Sequence, residues 1–190
     1  MATERILVHK SIIEPFKKAF KDAASKVFAE DEPAPILITS AGVEKNKKLV
    51  ADAKSKGASI IHGDHEIDEE SKYRMRPIIV TDVTKDMDIY HTESFGPSIS
   101  VIPVSSDEEA VEIANDTEYG LSGAVFTENL ARGIKLARQI EAGAVHINSM
   151  TVHDEPSLPH GGTKKSGWGR FNGDWGSAEF MREKTITFSL

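Results

Sequence analysis

The sequence predicts an α/β fold with a mainly parallel sheet and flanking helices. Three observations support this. Short apolar runs rich in β-branched residues, PIIVTDV (77–83) and SISVIPV (98–104), read as buried strands. Helical patterns with recognisable starts and stops lie between such runs. From residue 98 to 148 the order is strand, helix, strand, helix, strand, the spacing of βαβ crossovers.

The elements follow in order. ERILVH (4–9) is an apolar run suited to a strand. Ser11 and Glu14 have the spacing of a capping box, in which each side chain satisfies the other's free backbone donor, and Pro15 fits the first helical turn. Ile13, Phe16, Phe20, Ala23 and Val27 then form one apolar stripe at helical spacing. EDEPAP (30–35) is a break and ILIT (36–39) a short strand. Residues 43–56 read as a helix stopped by Gly57, and ASIIH (58–62) as a strand. The polar, acidic stretch 63–76 reads as a surface hairpin or loop.

Ser106 and Glu109 make a second capping box, opening a helix that runs to about Asn115. SGAVF (122–126) is a strand, 128–141 a helix stopped by Gly143, and AVHIN (144–148) a strand. Residues 149–182 are Gly-rich with little periodicity, a pocket or loop segment, and KTITFSL (184–190) alternates as a C-terminal strand does. With 190 residues, no internal repeat and no low-complexity linker, the expectation is a single domain over 1–190.

Composition excludes several classes of function. The formal net charge is −7 and there is no dense basic run, against a nucleic-acid partner. Lys45, Lys47 and Lys48 sit at helical spacing beside Glu44 and Asp52, as on a solvated helix face. There is no cysteine, so a disulfide, a thiolate metal site and a Cys nucleophile are absent from these residues. That fits a reducing, cytoplasmic setting. No apolar stretch reaches the roughly 18 residues of a membrane span, and no signal-peptide pattern opens the chain.

Local motifs give little chemistry. HGDHE (62–66) lacks the order of a zinc helix, and HDEP (153–156) places adjacent side chains that rarely meet at one ion. GWGRFNG (167–173) has its third glycine one place late for a dinucleotide fingerprint, and no strand precedes it. Its glycines suit a loop with positive φ angles. No G-x-S-x-G elbow is present, and nothing marks a lysine as desolvated.

The stretch YHTESFGPSISVIPV (90–104) stands apart. Gly96-Pro97 stops one segment and starts a strand, with Glu93 and Phe95 at its mouth. Spacing leaves two readings open. Glu93 is a solvated acid and Phe95 a core residue, or the carboxylate accepts from ribose hydroxyls while the ring offers a flat apolar surface to a nicotinamide.

ESFGP, NDTEYGLSGAVFT (115–127), EAGAVHIN (141–148) and PHGGTKKSGWGR (159–170), in this order and spacing, resemble the aldehyde dehydrogenase superfamily. The likeness runs from MATERILVH to KTITF. The ending HDEPSLPHGGTKKSGWGRFNG looks closest to the branch acting on aromatic aldehydes such as vanillin or salicylaldehyde.

The resemblance implies oxidation of an aldehyde to an acid. A Cys thiolate attacks the carbonyl, hydride passes to NAD or NADP, and a Glu activates the water that releases the acid. It assigns Glu93 to the nicotinamide ribose and Phe95 to the nicotinamide, and makes the 149–160 loop part of the aldehyde pocket, with His153 and His160 as lining residues. Where the family most often has Pro-Phe-Gly-Gly, this chain has Pro159-His160-Gly161-Gly162.

The family's nucleophile would lie immediately before MATERILVH, and the water-activating Glu and the dinucleotide-binding domain upstream of it. The expectation is therefore a catalytic-domain portion truncated at the N-terminus, with no catalytic residue of its own, inactive alone, and binding no cofactor or metal alone. The partners expected of the complete protein are a small-molecule aldehyde and further copies of itself as a homo-oligomer. The alternative is a non-catalytic, self-associating folded fragment, since absent upstream strands would leave an edge and an apolar face uncovered.

Overall fold

The computed structural model describes residues 2–29 and 31–190. Met1 and Glu30, the first residue of the EDEPAP break, lie outside the described residues. Two compact units form, over Ala2–Glu112 and Ile113–Leu190.

The first unit contains β1 (Arg5–His9), α1 (Ile13–Val27), α2 (Ser40–Ser55), β2 (Ser59–His62), β3 (Ile78–Thr81), α3 (Asp88–His91) and β4 (Ser98–Val104). Its sheet has the order β1-β4-β3-β2. β4 pairs in parallel with β1 and with β3. β2 joins β3 antiparallel, with a register shift between Ile60 and His62. All four residues of β3 are buried, as the continuous apolar run requires. Burying each such Val or Ile side chain is worth about 1.5–3 kcal/mol. Val8, Ile79 and Val101 form a core with Ala24 of α1, and Phe16 and Phe20 pack against it. The apolar stripe of α1 thus faces the sheet, as its spacing predicts.

Three sequence expectations need correction here. Ser11 does not cap α1. A 3-10 turn over Lys10–Ile12 precedes that helix, and His9 caps the turn by accepting from the Ser11 N–H at 3.2 Å. The other ring nitrogen of His9 lies 3.0 Å from the Ser105 carbonyl oxygen, so a distant contact overrides the local box. ILIT (36–39) is not a strand. Ile36 makes only an isolated bridge with Arg74, and Thr39 caps α2 by accepting from the Gly42 N–H at 3.1 Å. The helix predicted from residue 43 therefore starts at Ser40.

The second capping box does form. Ser106 Oγ accepts from the Glu109 N–H at 3.1 Å, and the Glu109 carboxylate accepts from the Ser105 N–H at 2.6 Å, opening α4 (Asp107–Asn115). The second unit contains β5 (Tyr119–Gly120), β6 (Ser122–Val125), α5 (Leu130–Ala137), β7 (Ala144–Ile147), β8 (Thr163–Lys164) and α6 (Gly173–Glu179). β6, α5 and β7 form a βαβ unit with the two strands parallel and the helix packed on both. β5 and β8 pair antiparallel.

Gly143 ends the α5 region, but its lack of a side chain has a second cause. A Cβ there would lie 1.6 Å from the Gly161 carbonyl oxygen. Gly167, Gly169 and Gly173 all have positive φ, as expected for a loop rather than a phosphate cradle. Residues 184–190 are exposed and pair with no strand among the described residues.

Candidate functional site

In the first unit, Glu93 and Phe95 sit on the turn between α3 and β4. Phe95 is not a core residue. It is 78% exposed and has φ of 51°, in the left-handed region that is costly for a residue with a Cβ. Glu93 is half-buried. Its carbonyl oxygen accepts from Lys45 Nζ at 2.6 Å, while its carboxylate accepts no hydrogen bond among the described residues. Partial burial raises its pKa above the ordinary value, repulsion from Glu4 adds to this, and Lys45 partly opposes it.

Two residues that sequence reasoning missed hold this turn. The Glu4 carboxylate accepts from the Ser94 N–H at 2.8 and 3.0 Å and from the Phe95 N–H at 3.1 Å. Asn46 is fully buried. Its Nδ2 donates to the carbonyls of Gly42 at 2.9 Å and Ser94 at 3.1 Å, and its Oδ1 accepts from Ser98 Oγ at 2.5 Å. Gly96 lies against that amide, where a Cβ would be 2.1 Å from Asn46 Nδ2. No local sequence pattern signals their contacts with the turn, because those partners are 48 to 91 residues apart.

An acceptor with free lone pairs beside an unpartnered ring suits a nicotinamide ribose. The carboxylate can accept from vicinal hydroxyls, and the ring can cover a flat heterocycle.

In the second unit, His153 and His160 join a cluster with a third imidazole, His146 on β7. The His146 and His153 rings meet edge-on with centroids 5.2 Å apart. His153 Nε2 lies 2.9 Å from Glu155 Oε1. His160 is buried at 7% exposure and packs edge-on against Phe171 at 5.2 Å. Its Nδ1 stands 3.7 Å from Asp154 Oδ1, and Asn172 Nδ2 donates to that same oxygen at 2.9 Å. His146 Nε2 is buried with no hydrogen-bond partner among the described residues. Burial lowers the His146 pKa, and the neighbouring His153 and His160 lower it further. His146 lay inside the strand run AVHIN (144–148), where nothing local marked it out. Among the described residues, no group of three or more His, Asp or Glu is arranged to hold a metal ion. No helix of the described residues is long and apolar enough to cross a membrane.

Comparison with known proteins supplies the context. The aldehyde dehydrogenase family pattern matches residues 1–186. The chain is 38% identical to the benzaldehyde dehydrogenase YfmT of Bacillus subtilis (strain 168), covering 98% of this chain and 39% of that enzyme. A succinic semialdehyde dehydrogenase from Streptococcus pyogenes, solved in complex with NADP+, superposes with a TM-score of 0.87 at 30% identity, over 97% of this chain and 41% of that one. A salicylaldehyde dehydrogenase from Pseudomonas putida G7, solved with salicylaldehyde, gives a TM-score of 0.83 at 32% identity, over 97% of this chain and 40% of that one. The chain thus spans about two fifths of the length of these relatives.

Proposed function

Because this chain belongs to the aldehyde dehydrogenase family, we propose that it supplies the cofactor-facing and aldehyde-facing parts of the catalytic domain of an NAD(P)-dependent enzyme oxidising an aldehyde to a carboxylic acid. The observation that carries the reading is the turn at 93–97, where a carboxylate with free acceptors and an exposed ring stand side by side.

Glu93 accepts from the ribose hydroxyls of the dinucleotide, and Phe95 covers the nicotinamide face. A dinucleotide held there would supply the hydride acceptor for the oxidation. His153 and His160 line the aldehyde pocket, where imidazoles suit a substrate carrying a polar or phenolic group. Likeness to benzaldehyde and salicylaldehyde dehydrogenases supports an aromatic aldehyde.

These 190 residues contain no cysteine, so the thiolate that attacks the aldehyde is provided from outside them. The chain alone is expected to be inactive and to bind no dinucleotide usefully. A dehydrogenase assay with a benzaldehyde-type substrate, run on the 190-residue chain and on a longer polypeptide carrying it, tests this. Turnover only in the longer form supports the reading, and robust turnover by the short chain refutes it.

A second reading rests on the exposed apolar residues Phe180, Met181, Ile186, Phe188 and Leu190. Exposed apolar side chains this closely spaced along the chain favour self-association. Light scattering that finds a clean monomer refutes it.

A further inference from the structure

We propose that Glu4 is a positioning residue for the dinucleotide, acting through the Glu93–Phe95 turn. This rests on the reading of Glu93 and Phe95 given above. The Glu4 carboxylate takes two successive backbone N–H groups, those of Ser94 and Phe95, with contacts of 2.8, 3.0 and 3.1 Å. Ser94 Oγ adds a third donor, 3.3 Å from Oε1. Successive N–H groups converging on one anion form a nest, and each bond is charge-assisted.

The nest faces the residue whose backbone most needs holding. Phe95 is left-handed at φ 51°, and its exposed ring contributes little packing to keep it there. Releasing Glu4 frees the Phe95 peptide to return to an ordinary conformation. That rotation swings the ring away from its present direction and loosens the turn that carries Glu93, two residues earlier. Glu4 therefore sets the aim of both groups without touching the cofactor.

Two measurements test this. On the 190-residue chain, amide hydrogen exchange compares wild type with Glu4→Gln and Glu4→Ala. In the complete dehydrogenase carrying the chain, steady-state kinetics compares the same variants with Glu93→Gln. Exchange at Ser94 and Phe95 should quicken in Glu4→Ala and less in Glu4→Gln, which keeps an acceptor oxygen. The KM for the dinucleotide should rise about tenfold in Glu4→Ala, the scale expected for losing charge-assisted bonds that hold a contact group. The KM for the aldehyde should stay unchanged, and Glu4→Gln should recover most of the loss.

Equal exchange in wild type and Glu4→Ala shows that no clamp exists and overturns the proposal. A raised dinucleotide KM in Glu93→Gln with none in Glu4→Ala also overturns it, while leaving the role of Glu93 intact. An unchanged KM in Glu93→Gln removes that role, and the inference falls with it.

Discussion

Gly96→Ala tests the packing behind the 93–97 turn. The new methyl carbon would lie 2.1 Å from Asn46 Nδ2, 2.5 Å from its Cγ and 2.6 Å from its Oδ1. Asn46 is fully buried and cannot swing into solvent. Gly96 has no positive φ, so the substitution carries no backbone strain and probes the clash alone. Moving the amide breaks its bonds to Ser94 and Ser98 and leaves buried polar atoms unpaired. Each such loss costs about 1–3 kcal/mol, so two give about 2–6 kcal/mol. Reduced entropy of the unfolded chain returns about 0.4–1 kcal/mol.

The central net expectation is a loss of about 3 kcal/mol in urea unfolding followed by far-UV circular dichroism, with the slope unchanged. Asn46→Ala removes the obstacle. The double variant should then cost little more than Asn46→Ala alone, a coupling of about 3 kcal/mol. Additive costs, or a Gly96→Ala protein within about 0.5 kcal/mol of wild type, would refute the argument.

Phe95→Gly should stabilise the chain slightly while harming cofactor binding in the complete enzyme. Relief of a left-handed backbone, worth about 1–2 kcal/mol, exceeds the roughly 0.5–1 kcal/mol entropic cost of glycine; a fall in Tm would contradict this. His146 should make the fold acid-sensitive. Its folded pKa lies below the ordinary 6.5, so its contribution is complete above that value and is lost as pH falls through the folded one. His146→Phe should flatten that acid limb in pH-dependent unfolding, and an unchanged limb would place the sensitivity elsewhere.

Much of the scaffold was legible because its determinants are local. The run at 78–81 is buried on both faces, and that at 98–104 is buried on one face and partly buried on the other, which is why both read as strands of a covered sheet. Ser106 and Glu109 cap α4 because nothing distant competes for them, whereas Ser11 lost its role to His9, which is anchored on Ser105. The antiparallel direction of β2 was not legible, since a single apolar run looks the same either way. At the site, the Gly96-Pro97 break was visible, but the Glu4 and Asn46 contacts that shape it were not. Their partners are too far along the chain for any periodicity to register.

That separation has a kinetic meaning. Ser94 and Glu4 stand 90 residues apart, and β1 must dock on β4 before they can meet. Contacts so remote close late in folding, after the helices and nearer strands have condensed. Fraying of the first strand would in turn erase the turn's geometry while the rest of the sheet stands, so this turn is assembled last and surrendered first.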